Sequence, residues 1–150
     1  MVRLISFFLV VSALYPCGAE AKLPTKPENV LPYLEEVYKD GDINAYANLL
    51  ARNYRYVLED LGRTWDAAAE VKGTRKLFER ASAELSFSGD VSPKRASQPR
   101  TWFIDDVVGD LSVTRKDDGR VFKVQNTYSF IIREENGTLK IAEWRQKLSK

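Results

Sequence analysis

The stretch DLSVTRKDDGRVFKVQNTYSFIIREENGTLKIAEWRQ, Asp110 to Gln146, reads as three antiparallel strands joined by two tight reversals. Its middle strand alternates: Phe122, Val124, Tyr128, Phe130 and Ile132 share one face, while Val121, Lys123, Gln125, Thr127, Ser129, Ile131 and Arg133 share the other. A period of two over this length marks a strand with one covered face. Asp118-Gly119 and Asn136-Gly137 bracket it, and such dipeptides favour two-residue hairpin turns because both central residues take positive φ. Facing residues across a hairpin lie on the same side of the sheet. Val113 is therefore expected opposite Val124 and Leu111 opposite Asn126, so the first strand adds its apolar residues to the apolar face of the second. Around the second turn the same count places Ile141 opposite Ile132, Glu143 opposite Phe130 and Arg145 opposite Tyr128.

That count points Glu143 and Arg145 toward the covered face, where a lone charge is too costly to keep. Two explanations are open. The two side chains pair with each other near a wet end of the sheet, or they floor a pocket together with Asn126 and Tyr128. In the second case Arg145 is available to a carboxylate or other anion. On the reverse face, Ile131, Ala142 and Trp144 form an apolar patch of the kind that marks a partner or dimer interface.

Working outward, 150 residues with 44% hydrophobic and 29% charged side chains suit one globular domain with its own core. Residues 1–21 are expected to lie outside that domain. Arg3 gives a short positive start, Leu4 to Leu14 is nearly all apolar, and Ala19-Glu20-Ala21 presents small residues at a cleavage site, the pattern of a secretory signal. The apolar run falls short of the about 20 residues that span a bilayer, so stable membrane insertion is not expected. Cys17, the single cysteine, sits within this segment, and Leu14-Tyr15-Pro16 before it is a poor approach to lipid attachment. Cleavage near Ala21 leaves an exported chain, periplasmic or secreted, without cysteines and hence without disulfides. The net charge of +2 does not point to nucleic acid as a partner.

Residues 22–28 read as a linker, with Pro24 and Pro27. Asn29 is expected to cap a first helix carrying Val30, Leu31, Leu34, Val37 and Tyr38, stopped by Gly41. Asp42 caps a second, with Ile43, Tyr46, Ala47 and Leu50 on one side. Tyr54 to Asp60 suits a short strand, Gly62 to Asp66 a loop, Ala67 to Val71 a helical turn, and Gly73-Thr74 the start of a third helix with Leu77, Phe78 and Ala81 inward. Leu85 begins another strand, Ser88 to Arg100 reads as a loop, and Trp102 to Val108 is extended, with Asp106 breaking its alternation and a bulge expected at Gly109-Asp110.

The order helix, helix, strand, helix, long meander is α+β. It resembles the nuclear transport factor 2-like superfamily, with its ketosteroid isomerases, scytalone dehydratase and SnoaL-type polyketide cyclases. The residues that carry the resemblance are Tyr33 to Val37 with Gly41-Asp42, Lys72 to Phe78, Val108 to Val113, and the closing hairpin Thr127 to Trp144. It covers about Glu28 to Gln146 and implies one domain, 29–150, of helices packed on a strongly curved antiparallel sheet that forms a cone-shaped pocket. It also implies, for many members, dimerisation through the outer sheet face. Scytalone dehydratase and the SnoaL-type cyclases use a cavity histidine, and this chain has none. A ketosteroid-isomerase-like or cyclase-like proton transfer on a small carbonyl substrate would need a carboxylate base and a hydroxyl donor, for which Glu143 and either Tyr128 or Tyr56 are the candidates. Arg145 beside Glu143 would weaken that base. The leading expectation is a non-catalytic binding or interaction module, without cofactor or metal. It would take a small, partly apolar ligand, an anionic one included, with Tyr56, Trp65, Trp102, Asn126, Tyr128, Glu143 and Arg145 at the pocket and Ile131, Ala142 and Trp144 at a homodimer interface.

Overall fold

A computed structural model describes residues 22–148; the expected signal segment, residues 1–21, and Cys17 lie outside the described residues. Three helices pack against one face of a mixed seven-stranded sheet: α1 (Val30–Asp40), α2 (Ile43–Leu49), β1 (Leu50–Leu58), β2 (Arg63–Asp66), α3 (Ala67–Arg80), β3 (Ala81–Ser88), β4 (Lys94–Arg95), β5 (Thr101–Arg115), β6 (Val121–Glu135) and β7 (Thr138–Leu148). The strand order is β2-β1-β7-β6-β5-β3, with β4 paired to β5. The sheet is not purely antiparallel as expected, because β1 runs parallel to β7. Chain-distant strands need no hairpin to pair, so their relative direction is free of turn chemistry.

Local signals place the helices. Val30, Leu31, Leu34, Val37 and Tyr38 are buried on one stripe of α1, which ends at Gly41 in the left-handed region (φ 63). Asp42 caps α2 by accepting from Asn44 N and Ala45 N at 3.0 and 2.9 Å. Asn29 precedes α1 but makes no side-chain cap bond, since a short 3-10 turn, Pro27–Asn29, leads into the helix instead. The third helix starts earlier than Gly73. Asp66 caps it, accepting from Ala69 N at 2.9 Å, and α3 continues through Gly73 to Arg80. Gly62 to Asp66, expected as a loop, contains β2, which pairs with the end of β1.

The meander keeps its faces but not its first register. Val113 pairs with Phe122 and Leu111 with Val124, two residues from the tight-turn count. The reversal widens to Arg115–Arg120 because Lys116 is tied to α3: its N–H donates to Arg80 O at 2.9 Å and its Nζ to Phe78 O at 2.8 Å. A shift of two preserves parity. In β5 the bulge falls between Ile104 and Val107, where Asp106 takes φ 53, and the ladder runs straight through Gly109 opposite Asn126. Gly109 serves close packing: a Cβ there would lie 2.3 Å from Tyr128 Cε2.

The second hairpin has the expected two-residue turn, with Glu135 opposite Thr138 and Ile132 opposite Ile141. One residue further, a bulge at Ala142 changes the outcome: Ile131 faces Glu143, Phe130 faces Trp144, Ser129 faces Arg145 and Tyr128 faces Gln146. An odd insertion inverts every later side chain on the strand. Trp144 is consequently inside, against Tyr38, Tyr56, Tyr128 and Phe130 at centroid distances of 6.4, 5.7, 5.6 and 5.2 Å. Without the bulge, an ionised carboxylate would sit among these rings and the indole would face water.

Candidate functional site

The bulge decides the site. Glu143 and Arg145, expected in the pocket, lie on the outer face of the sheet. There Glu143 bonds Arg55 at 2.5 Å and Arg145 at 2.8 Å, Arg145 reaches Glu59 at 3.0 Å, and Lys147 bridges to Asp106 at 3.3 Å. The two do pair with each other, and they line an outer hollow of about 500 Å³ with Glu59, Ile131 and Lys147 instead of the cavity inside the cone. Burial alone would push the Glu143 carboxyl up; hydrogen bonds and charge from Arg55 and Arg145 together outweigh it and hold the group below its ordinary 4.5. A carboxyl held low when folded stabilises the protein above its unfolded value, and that contribution fades as pH falls through the folded one. Thermal midpoints of Glu143→Gln are therefore expected to fall less steeply than those of the unsubstituted protein below about pH 5, the two curves converging in acid. Parallel curves would contradict the pairing.

The interface expectation fares similarly. Ile131 is on the outer face opposite Glu143, but Trp144 is in the core and Ala142 is buried at the bulge, 6% exposed. The apolar outer patch thereby loses two of its three residues to the same inversion.

Inside the cone lies a cavity of about 280 Å³ lined by Tyr38, Tyr56, Trp65, Glu70, Leu85, Leu111, Val124, Asn126, Tyr128, Trp144 and Gln146. At about 30 Å³ per water molecule it has room for roughly nine. Of the expected ligand-binding residues, the fold brings together Tyr56, Trp65, Asn126 and Tyr128. Trp102 pairs with Ile132 and Arg95 toward the other end of β5 and does not line the cavity. Tyr56 stacks on Trp65 at 4.5 Å with planes 8° apart, and its hydroxyl donates to Gln146 Oε1. Asn126 Nδ2 donates to Tyr128 Oη at 3.3 Å. Burial pushes the Tyr56 hydroxyl well above the ordinary phenol value. It also raises that of Tyr128, which Asn126 partly offsets, so both present neutral hydroxyls at neutral pH.

Trp144, counted outward, escapes sequence reasoning, as do Gln146 and Glu70. Gln146 takes the place opposite Tyr128 that the unbroken count assigned to Arg145. Glu70, 9% exposed, accepts at Oε1 from Tyr46 Oη at 2.7 Å and at Oε2 from Trp65 Nε1. Splitting the helix at Gly73 hides the signal that would have found it. On one continuous helix Glu70, Thr74 and Phe78 share a single buried stripe.

Helices laid on one face of a strongly curved, open sheet around an aromatic-lined cavity define the class: this is the nuclear transport factor 2-like fold. Among solved structures, a conserved protein from Planctomyces limnophilus superposes with a TM-score of 0.69 at 14% identity, covering 79% of this chain and 90% of that one. A nuclear transport factor 2-like superfamily protein from Salmonella enterica serovar Typhimurium gives 0.63 at 9% identity, covering 82% and 89%. A ketosteroid isomerase-like protein from Erwinia carotovora atroseptica gives 0.58 at 15% identity, covering 80% and 91%. No protein-family model matches the chain, and no curated protein matches it by sequence. At these identities the likeness is one of fold, and a shared fold carries no particular chemistry.

Proposed function

We propose that the protein is an exported, non-catalytic module that binds a small, partly apolar molecule in the cone cavity. The observation that carries this reading is the lining itself: apolar and aromatic walls with a few convergent polar groups, Glu70, Asn126, Tyr128 and Gln146, around a concave space of about 280 Å³. The rim supports access, since Val124, which lines the cavity, is 47% exposed. The particular base and donor that the sequence offered for an isomerase-like reaction, Glu143 and Tyr128, are on opposite faces of the sheet.

Calorimetric titration with 1-naphthol is expected to give saturable binding that Val124→Trp removes by filling the mouth from a half-exposed position. Absence of saturation with this probe and with small amines and alcohols alike, or binding indifferent to Val124→Trp, would overturn the reading. Export is supported by the sequence of residues 1–21. The intact mass of protein recovered outside the cytoplasm of an expressing cell is expected to match a chain starting at Lys22, and retention of residues 1–21 would count against it.

A further inference from the structure

The charge inside the cone is of one sign. Glu70 is the only ionisable acid or base among the described residues lining the 280 Å³ cavity, the tyrosines aside. A second hollow of about 350 Å³, lined by Trp65, Ala69, Glu70, Gly73, Thr74 and Leu77, shares Glu70 and Trp65 with the first and again contains no lysine or arginine. The hydrogen-bond partners of Glu70 are both neutral donors, Tyr46 and Trp65. Arg145, the cation that would have neutralised an anionic ligand, is spent on Glu143 and Glu59 beyond the sheet. After burial, the Glu70 charge is the next largest influence raising the Tyr38 and Tyr54 hydroxyls above the ordinary phenol value.

A carboxylate this buried gains most from a counter-charge, and the faces of Tyr and Trp rings attract cations through their quadrupoles. An anionic ligand would meet repulsion from both. A neutral one would leave the carboxylate with its two neutral donors alone. We infer that the cone cavity is a site for a small organic cation, an amine or quaternary ammonium, with Glu70 as counter-ion and Tyr56, Trp65, Tyr128 and Trp144 as its aromatic surround. This rests on the reading of the cavity as a binding site, and it reverses the sign of ligand that the Arg145 position in the sequence suggested.

The test compares choline with its neutral isostere 3,3-dimethylbutan-1-ol by calorimetric titration of the unsubstituted protein. Choline is expected to bind about tenfold more tightly or better, and Glu70→Gln is expected to abolish that preference. If the alcohol binds as well as choline, or if 1-naphthol binds while choline does not, the cation inference fails and the cavity reading stands. If none of the three binds, the cavity reading fails with it. Should Glu70→Gln not fold, the pair of isosteres in the unsubstituted protein decides the matter alone.

Discussion

Trp144→Ala is expected to lower the unfolding free energy by about 3–5 kcal/mol, as for other buried aromatics cut back to alanine. The indole is 4% exposed and meets four rings from α1, β1 and β6. Its removal leaves a void at the junction of helix and sheet that none of these elements can collapse to fill independently. Ile131→Ser, one ladder position away but on the outer face, is expected to cost far less. Chemical denaturation of the two variants checks this directly. Equal costs, or a larger one for Ile131→Ser, would mean that the bulge at Ala142 is absent and that the strand keeps its unbroken alternation.

Gly109→Ala should be the most damaging addition of a single methyl group. Its Cβ would stand 2.3 and 2.5 Å from Tyr128 Cε2 and Cδ2, and 3.3 Å from Phe87 Cε1. Overpacking of this kind costs typically about 1–3 kcal/mol, and here the obvious relief is for the Tyr128 ring to swing into the cavity it lines. Two consequences are expected: a loss of stability of that order, and a loss of 1-naphthol binding. Because the clash is with one ring, Gly109→Ala combined with Tyr128→Leu should be less destabilised than the sum of the two single variants. Strict additivity in urea melts would show that the strand backbone, not the ring, yields.

Much of the architecture was legible because it is written in short-range chemistry. The alternation of β6, the stripe of α1, the Gly41 stop, the Asp42 cap and the turn at Asn136-Gly137 each depend on residues within a few positions of one another. Even the widened first reversal kept the faces right, since a slip of two residues leaves parity unchanged. Asp106 was visible as a break in alternation, although the bulge it marks lies before Gly109, not at it.

The site was less legible, and for one cause acting at several places. Periodicity predicts which way a side chain points only while the period is unbroken, and both β5 and β7 carry bulges. Glu143 and Arg145 were misplaced by the single residue Ala142, and Gln146 and Trp144 were misplaced with them. Glu70 was hidden by a glycine that α3 tolerates in its interior at a cost of about 1 kcal/mol. Residue order thus pointed to the class of fold and to the four cavity residues Tyr56, Trp65, Asn126 and Tyr128, although Trp65 lies on a strand that had been expected as a loop. The parallel pairing of β1 with β7, the inversion after Ala142 and the carboxylate beneath the cone were settled by packing. For the inversion the deciding comparison is between burying a charge and burying a ring, and all three exist only once distant strands and helices have come together.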